Sequence, residues 1–339
     1  MDFSLFYFGD GGDTGDRYDL LLDGARFADQ HGFHAVWTPE RHFHSFGGLY
    51  PNPSVTGAAL AALTERVRIR AGSVVAPLHH PLRIAEEWAV VDNLSGGRVG
   101  VSFASGWNAA DFCLDPAAYP TRKSALLEQV GTVRALWRGE PLDTVDGQGS
   151  PIQVRVHPSP VQPELPTWIT SAGDPVTVEG AGAAGYGLLT HLLGQDFDQL
   201  AQRIAAYRAA AARAGHPGHV AVMVHTYVGT DDAEVKELVR GPLSAYLRRS
   251  LDLSRSHVPS EHPLSREHDH ERAAERAVRL AFDRYLAGGL LGGVATCVER
   301  ARRLAGIGVD EVACLIDFGL PAAQVLKGLR QLDEVRAAG

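Results

Sequence analysis

The sequence predicts an α/β fold, a (β/α)8 TIM barrel, with one insertion before the fifth barrel strand and another after the seventh. Short runs rich in Val, Ile, Phe and Leu alternate with longer amphipathic stretches, which is the rhythm of repeated β-α units around a parallel sheet. About eight such units follow one another, the number that closes a barrel of this kind. Polar clusters gather behind the runs, where such a barrel carries its reactive groups.

The candidate strands are residues 3–8, 34–38, 67–75, 98–103, 167–170, 187–190, 220–228 and 311–316. Helical stretches between them cover residues 18–30, 54–63, 82–93, 122–137, 197–213, 233–248 and 296–305. Ahead of the fifth helix, Asp174-Pro175 supplies a capping carboxylate and a first-turn proline. Residues 139–166 hold two short alternating runs and are expected to form a hairpin inserted before the fifth strand. Residues 251–271, dense in Ser, His, Pro and charge, break the rhythm. They are expected to form either a mobile active-site lid or a solvated surface loop.

A chain of 339 residues, 45 % hydrophobic and 21 % charged, has apolar material for one large core, so a single domain over residues 1–339 is expected. Lys plus Arg number 32 against 40 Asp plus Glu, a formal charge of -8, and no basic block follows a phosphate backbone. Nucleic acid is therefore not an expected partner. The opening MDFSLFYFGDGG has neither a basic lead nor a small-residue cleavage pattern and reads as a first strand. No stretch approaches the roughly 20 apolar residues of a membrane-spanning helix. Cys113, Cys297 and Cys314 are scattered and lack C-x-x-C spacing, which argues against a disulfide framework and a zinc site and fits a reducing cytoplasm.

The second strand leads into Pro39-Glu40-Arg41-His42-Phe43-His44. In an extended stretch Glu40 and His42 share one side while Arg41 faces the other. A mouth-facing Glu40 and His42 would exchange protons near neutral pH. The alternative is a buried ion pair of Glu40 with Arg41 that pins the loop, which the residues alone favour. His79-His80, before a proline and a helix, fits capping or packing. The fifth strand's turn, Ser171-Ala172-Gly173-Asp174-Pro175, puts small residues and backbone N–H groups at a helix start. It suits either a bound phosphate or an ordinary capped turn. Arg122, at the head of the fourth helix, is either a second phosphate contact or a surface arginine.

Five segments, in order along the chain, resemble the bacterial luciferase-like flavin monooxygenases. They are WTPERHFHSFGGLYPNPSV, VRIRAGSVVAPLHHPLRIAEEWAVVDNLSGGRVGVSFASGWNAADF, the turn at 171–177, YGLLTHLLGQ and GGVATCVERARRLAGIGVDEVACLIDFG. RHFHSFGGLYPNPSV and HPLRIAEEWAVVDNLSGGRVG are most similar to the branch that accompanies nonribosomal peptide and polyketide assembly lines. The resemblance implies an enzyme that uses FMN as FMNH2, adds dioxygen to it as a flavin 4a-hydroperoxide, and transfers oxygen to a small-molecule or carrier-protein-tethered substrate. It implies a separate flavin reductase, since the sequence has no nicotinamide-binding motif, and a homodimer.

Carried over by position, the family's phosphate contacts fall on Arg122, Ser171, Ala172, Gly173 and Thr177. Its histidine pair after the second strand falls on Arg41 and His42, so the first histidine is an arginine here. An arginine cannot serve as a base near neutral pH, yet it can hold an anionic reduced flavin or a peroxide. Ser105 stands where the family has an arginine near the phosphate. Gly72-Ser73 matches a cis peptide under the flavin ring, Ala104 a cysteine beside the ring's reactive edge, and His191 an aromatic that lines the ring. Ser73, Ser105, His42 and His191 are the expected donors, and Phe6, Phe8 and Trp107 the expected apolar wall. The alternatives are a deazaflavin-dependent hydride-transfer enzyme on the same barrel, a non-catalytic flavin-binding relative and, least of all, a metal-dependent hydrolase using His42, His44, His191 and Asp317. The glycines from Gly9 to Gly15 miss the G-x-G-x-x-G spacing of a Rossmann turn.

Overall fold

A computed structural model describes residues 1–9, 17–192, 194–255 and 267–339. Its strands, numbered in chain order, are β1 (Asp2–Phe6), β2 (Ala35–Thr38), β3 (Arg68–Val75), β4 (Val99–Ala104), β5 (Leu142–Val145), β6 (Pro151–Val154), β7 (Thr167–Thr170), β8 (Gly187–His191), β9 (Val220–Gly229), β10 (Leu290–Gly293) and β11 (Glu311–Leu315). The helices are α1 (Asp19–His31), α2 (Pro53–Leu63), α3 (Pro81–Ser95), α4 (Leu126–Trp137), α5 (Pro175–Ala183), α6 (Phe197–Arg213), α7 (Asp232–Arg255), α8 (Glu267–Gly288), α9 (Val294–Gly306) and α10 (Ala322–Ala338).

Eight parallel strands close the barrel in the order β1, β2, β3, β4, β7, β8, β9, β11, and β11 pairs back onto β1. The candidate strands of the sequence coincide with these eight. β5 and β6 form the antiparallel hairpin expected before the fifth barrel strand. β10 lies outside the pattern count. It pairs with the last four residues of β9, from Leu290 opposite Thr226 to Gly293 opposite Gly229, beyond the segment of β9 that pairs with β11. None of the described helices is long and apolar enough to cross a membrane.

Local chemistry sets the element ends. Asn52 caps α2 by accepting from the Ser54 and Val55 N–H groups, with Pro53 in the first turn. Asp196 and Gln199 form a capping box at α6. The register of β3 against β4 shifts between Gly72 and Val74, so Ser73 is the extra residue of a bulge, and the Gly72–Ser73 peptide is cis.

Gly72 sits against aromatic rings: a Cβ there would stand 2.6 Å from Phe6 Cε2 and 3.1 Å from Trp37 Cε3. Gly72→Ala is expected to destabilise the protein by about 1 to 3 kcal/mol through overpacking, seen as a lower urea midpoint.

The expected excursion at 251–271 is shorter than its sequence suggests. α7 continues to Arg255 and α8 begins at Glu267; residues 256–266 lie outside the described residues. The extension of α7 matters because it carries side chains to the mouth of the barrel.

Candidate active site

The carboxyl ends of the strands open into a cavity of about 500 Å³, within the range of small-molecule sites. Phe6, Phe8 and Trp107 are on its wall, as the sequence suggests, together with Val75, Leu189 and Met223. Gly72, Ser73, Ala104, Ala172 and His191 also line it. Ser105 follows β4 beside the wall without lining it.

The order of the Glu40 loop differs from expectation. Both Glu40 and Arg41 line the cavity, and His42 does not. The simple alternation of an extended strand fails because β2 ends at Thr38, and Phe43 adopts φ 53. His42 turns back, placing Nε2 2.8 Å from Glu40 Oε1. Nor does Glu40 pair with Arg41. Its Oε1 also meets Nε2 of His79 at 2.5 Å, and its Oε2 accepts the Val75 N–H at 2.7 Å. Burial alone would raise the Glu40 pKa, but the hydrogen bonds from His42, His79 and Val75, with the charge on His79, carry it below the ordinary carboxylate value. Burial opposes protonation of His79, yet the bond to Glu40 and its charge win and raise the imidazole above its ordinary value. Of the two adjacent histidines, His80 caps α3 through Nδ1, while His79 joins the site.

Arg41 stacks its guanidinium over Phe8, 4.3 Å from the ring centroid, and lies 5.4 Å from the Trp107 ring. Among the described residues no carboxylate lies within ion-pair distance of it. Burial lowers its pKa, and Tyr246 and Asp111 act in the opposite direction.

Ser73 Oγ bonds Thr170 Oγ1, and Thr170 Oγ1 bonds Ser102 Oγ at 2.7 Å, so a short chain of hydroxyls leads from the cavity floor into the barrel. At the next turn, the buried Ser171 accepts the Gly173 N–H at 3.1 Å. Gly173, at φ +113, leaves room for the guanidinium of Arg203, whose Cζ would lie 2.2 Å from a Cβ. Asp174 caps α5 and also takes the Thr177 hydroxyl at 2.6 Å, so Thr177 is committed to the cap. Arg122 precedes α4 and does not open it. It donates to Gly106 O at 3.2 Å and Tyr119 O at 2.7 Å and stacks on the Tyr119 ring.

The residues of the metal alternative do not converge. His42 is bound to Glu40, His44 Nδ1 accepts the Phe46 N–H, and Asp317 accepts the N–H groups of Phe8 and Gly9. Among the described residues no cluster of His, Cys, Asp and Glu could hold a metal ion.

Sequence reasoning missed Thr170, Arg203, His79, and the α7 residues Tyr246, Ser250 and Leu253 that line the cavity. Thr170 was signalled by its place as a polar residue at the carboxyl end of a barrel strand. Tyr246, Ser250 and Leu253 follow i, i+4, i+7 spacing, the mark of one helix face. Behind Tyr246 lies the fully buried His225, which burial and the nearby His191 hold to a pKa of about 3.

A barrel whose carboxyl mouth holds a large apolar cavity, with few polar groups at its wall, has the architecture of a small-molecule enzyme. The family profile of luciferase-like monooxygenases matches residues 1–311, and the chain belongs to this family of flavin-dependent monooxygenases. It is 26 % identical over 336 residues to the oxygenase component of the flavin-dependent trigonelline monooxygenase of Acinetobacter baylyi, covering 95 % of this chain and 89 % of that one. The monooxygenase RslO1 of Streptomyces bottropensis superposes with a TM-score of 0.80 at 25 % identity over 98 % of each chain. The oxygenating constituent of 3,6-diketocamphane monooxygenase from Pseudomonas putida, in complex with FMN, gives 0.75 at 18 % identity, covering 100 % of this chain and 98 % of that one.

Proposed function

We propose that the chain is an FMNH2- and dioxygen-dependent monooxygenase that oxidises a small organic or carrier-tethered substrate in natural-product biosynthesis. The observation that carries this reading is Arg41. A guanidinium facing an apolar cavity, with no carboxylate of the described residues within ion-pair distance, is a receptor for an anion, and a reduced flavin ring is one. The rest of the cavity fits the same ligand. Gly72 and Ala104 present almost no side chain, which leaves a smooth floor for a flat ring. The turn at Ser171, Ala172 and Gly173, with Arg203 beside it and Arg122 held on Gly106, is where the phosphate would bind.

When bound, reduced FMN supplies the two electrons that dioxygen takes up. The chain's own groups do the remainder. Arg41 holds negative charge, Ser73 and His191 offer polar atoms at the ring, and Glu40 with His42 carries protons at the wall. Tyr246, Ser250 and Leu253 of α7 cover the mouth and keep water out. Reduced flavin comes from a separate reductase. A homodimer belongs to the same reading, supported by exposed Val55, Val90 and Leu94 on the neighbouring helices α2 and α3. A reducing, cytoplasmic setting suits the three free thiols.

Stopped-flow absorbance tests the reading. Protein loaded with FMNH2 and mixed with dioxygen should hold the flavin in a transient state that returns to oxidised FMN more slowly than free flavin does. Oxidation at the free-flavin rate, or turnover of a deazaflavin without oxygen consumption, overturns it. Arg41→Met should weaken binding of reduced FMN by about 1.5 to 3 kcal/mol, the worth of a charge-assisted hydrogen bond. Oxidised FMN should lose less, and anaerobic titration against both forms gives the difference.

A further inference from the structure

Glu40 lies on two cavities at once. One is the large cavity at the barrel mouth. The other, of about 20 Å³, is bounded by Glu40, His79, Asn52, Arg83, Glu87 and Trp88. That volume holds about one water molecule, and its wall supplies the polar partners a buried water requires. The Glu40 side chain itself is 1 % exposed, whereas His79, bonded to the same carboxylate oxygen, is 32 % exposed. A carboxylate shut off from solvent is thus joined by one hydrogen bond to an imidazole that reaches it.

We propose that Glu40 and His79 form a proton passage between the active-site cavity and solvent, with the small cavity holding the water at its outer end. The passage deepens the monooxygenase reading above and rests on it. His79 donates its Nε2–H to the Glu40 carboxylate, and this proton passes along the 2.5 Å contact to the carboxylate and on into the cavity. Nδ1 of the imidazole takes up a proton from water in exchange, and a turn of the ring restores Nε2–H; the same steps in reverse carry a proton outward. Such a path is needed because a cavity that excludes water cannot exchange protons with bulk solvent through its mouth. His42, on the same Glu40 oxygen and only 10 % exposed, does not line the cavity, so Glu40 itself is the inner end of the passage.

The charged groups facing His79 are consistent with a group that gains and loses a proton in place. Glu40 approaches from the β2 end and Glu87 from α3. Arg83 is bound to Glu87 at 2.7 Å, which keeps its charge compensated. Ser54 also donates to Glu87, at 2.8 Å, which fixes this carboxylate at the small cavity.

The test uses the full chain loaded with FMNH2, mixed with dioxygen between pH 5.5 and 9, with variants His79→Gln and His79→Ala. His80→Gln, at the neighbouring cap, is the control expected to react as the wild type does. Both His79 variants should slow the proton-dependent phase by about tenfold or more and change the shape of its pH profile. Added imidazole should restore His79→Ala in proportion to its concentration. Wild-type rates and profile in both variants overturn the passage. So does a slowed His79→Ala with an unchanged profile and no imidazole rescue, which would leave His79 only holding Glu40 in place.

If the wild-type protein oxidises FMNH2 no differently from free flavin, the monooxygenase reading falls, and the pair is judged on flavin-free protein. There, 15N NMR should show His79 titrating above an ordinary histidine and moving down in Glu40→Gln. A His79 titration that is the same in both proteins overturns the pairing itself.

Discussion

Arg70→Leu is expected to cost about 3 to 5 kcal/mol of stability, the cost of leaving a buried charge without its partner. Arg70 Nη1 lies 2.5 Å from Oε2 of Glu311, whose side chain has no solvent exposure. Ser4 and Trp37 donate to the other carboxylate oxygen at 2.5 and 2.9 Å. The guanidinium also packs over Trp168, 4.3 Å from the ring centroid, and meets His34 Nε2 at 2.8 Å. These groups come from β1, β2, β3, β7 and β11 and tie the lower half of the barrel together. The change should appear as a lower urea midpoint with little change in slope. A midpoint equal to the wild type would show that the polar plug is dispensable.

The same cluster sets how acid acts on the fold. Burial opposes the charge on Glu311, but Arg70, the Ser4 hydroxyl, His34 and His219 outweigh it and hold the carboxyl to about 2, against an ordinary value of 4.5. A depressed carboxyl contributes stability that is present above 4.5 and lost as pH falls toward 2, about 3 kcal/mol in all. Burial also holds His34 and His219 below the ordinary histidine value of 6.5, so the unfolded chain binds more protons below that pH and stability starts to fall there. Glu311→Gln should flatten the segment between pH 4.5 and 2 and, because the Glu311 charge raises both histidines, deepen the loss of stability below 6.5.

The barrel was legible in the sequence because parallel strands buried on both faces read as short unbroken apolar runs, and eight of them recur with helices between. β10 was not, because Leu-Leu-Gly-Gly is short, half glycine and runs directly into α9. The end of α7 was hidden by the Ser- and His-rich composition that follows it, although its cavity-facing residues keep helical spacing. At the site, resemblance pointed to Gly72, Ser73, Ala104, Ala172 and His191, and all five line one cavity. The resemblance also put Arg41 at the site; strand alternation set it on the side away from Glu40, and fails because the chain leaves the extended form after Thr38. His79 meets Glu40 from 39 residues away, a separation that spacing rules do not span. Thr177 illustrates the opposite limit: position alone assigns it to a phosphate, and the Asp174 cap takes its hydroxyl.

Glu40→Gln is expected to reduce turnover by about a hundredfold to ten-thousandfold, the usual worth of a placed proton-transfer group. A glutamine can still accept the Val75 N–H through its side-chain oxygen, so the loop should keep its course. What it loses is the anion shared by His42 and His79. The wild-type Glu40 is held below the ordinary carboxylate value, so it stays charged throughout the neutral range and a change in activity between pH 5 and 8 does not come from its own titration. His79 is raised by Glu40, so the stability this pair contributes is fully present below the ordinary histidine pKa and fades as pH rises through the raised value. In Glu40→Gln both effects should go together: slower oxygen-dependent turnover at every pH, and a fold whose stability no longer declines across the His79 titration. A variant that kept wild-type turnover would remove the carboxylate from the chemistry and leave it a brace for the loop.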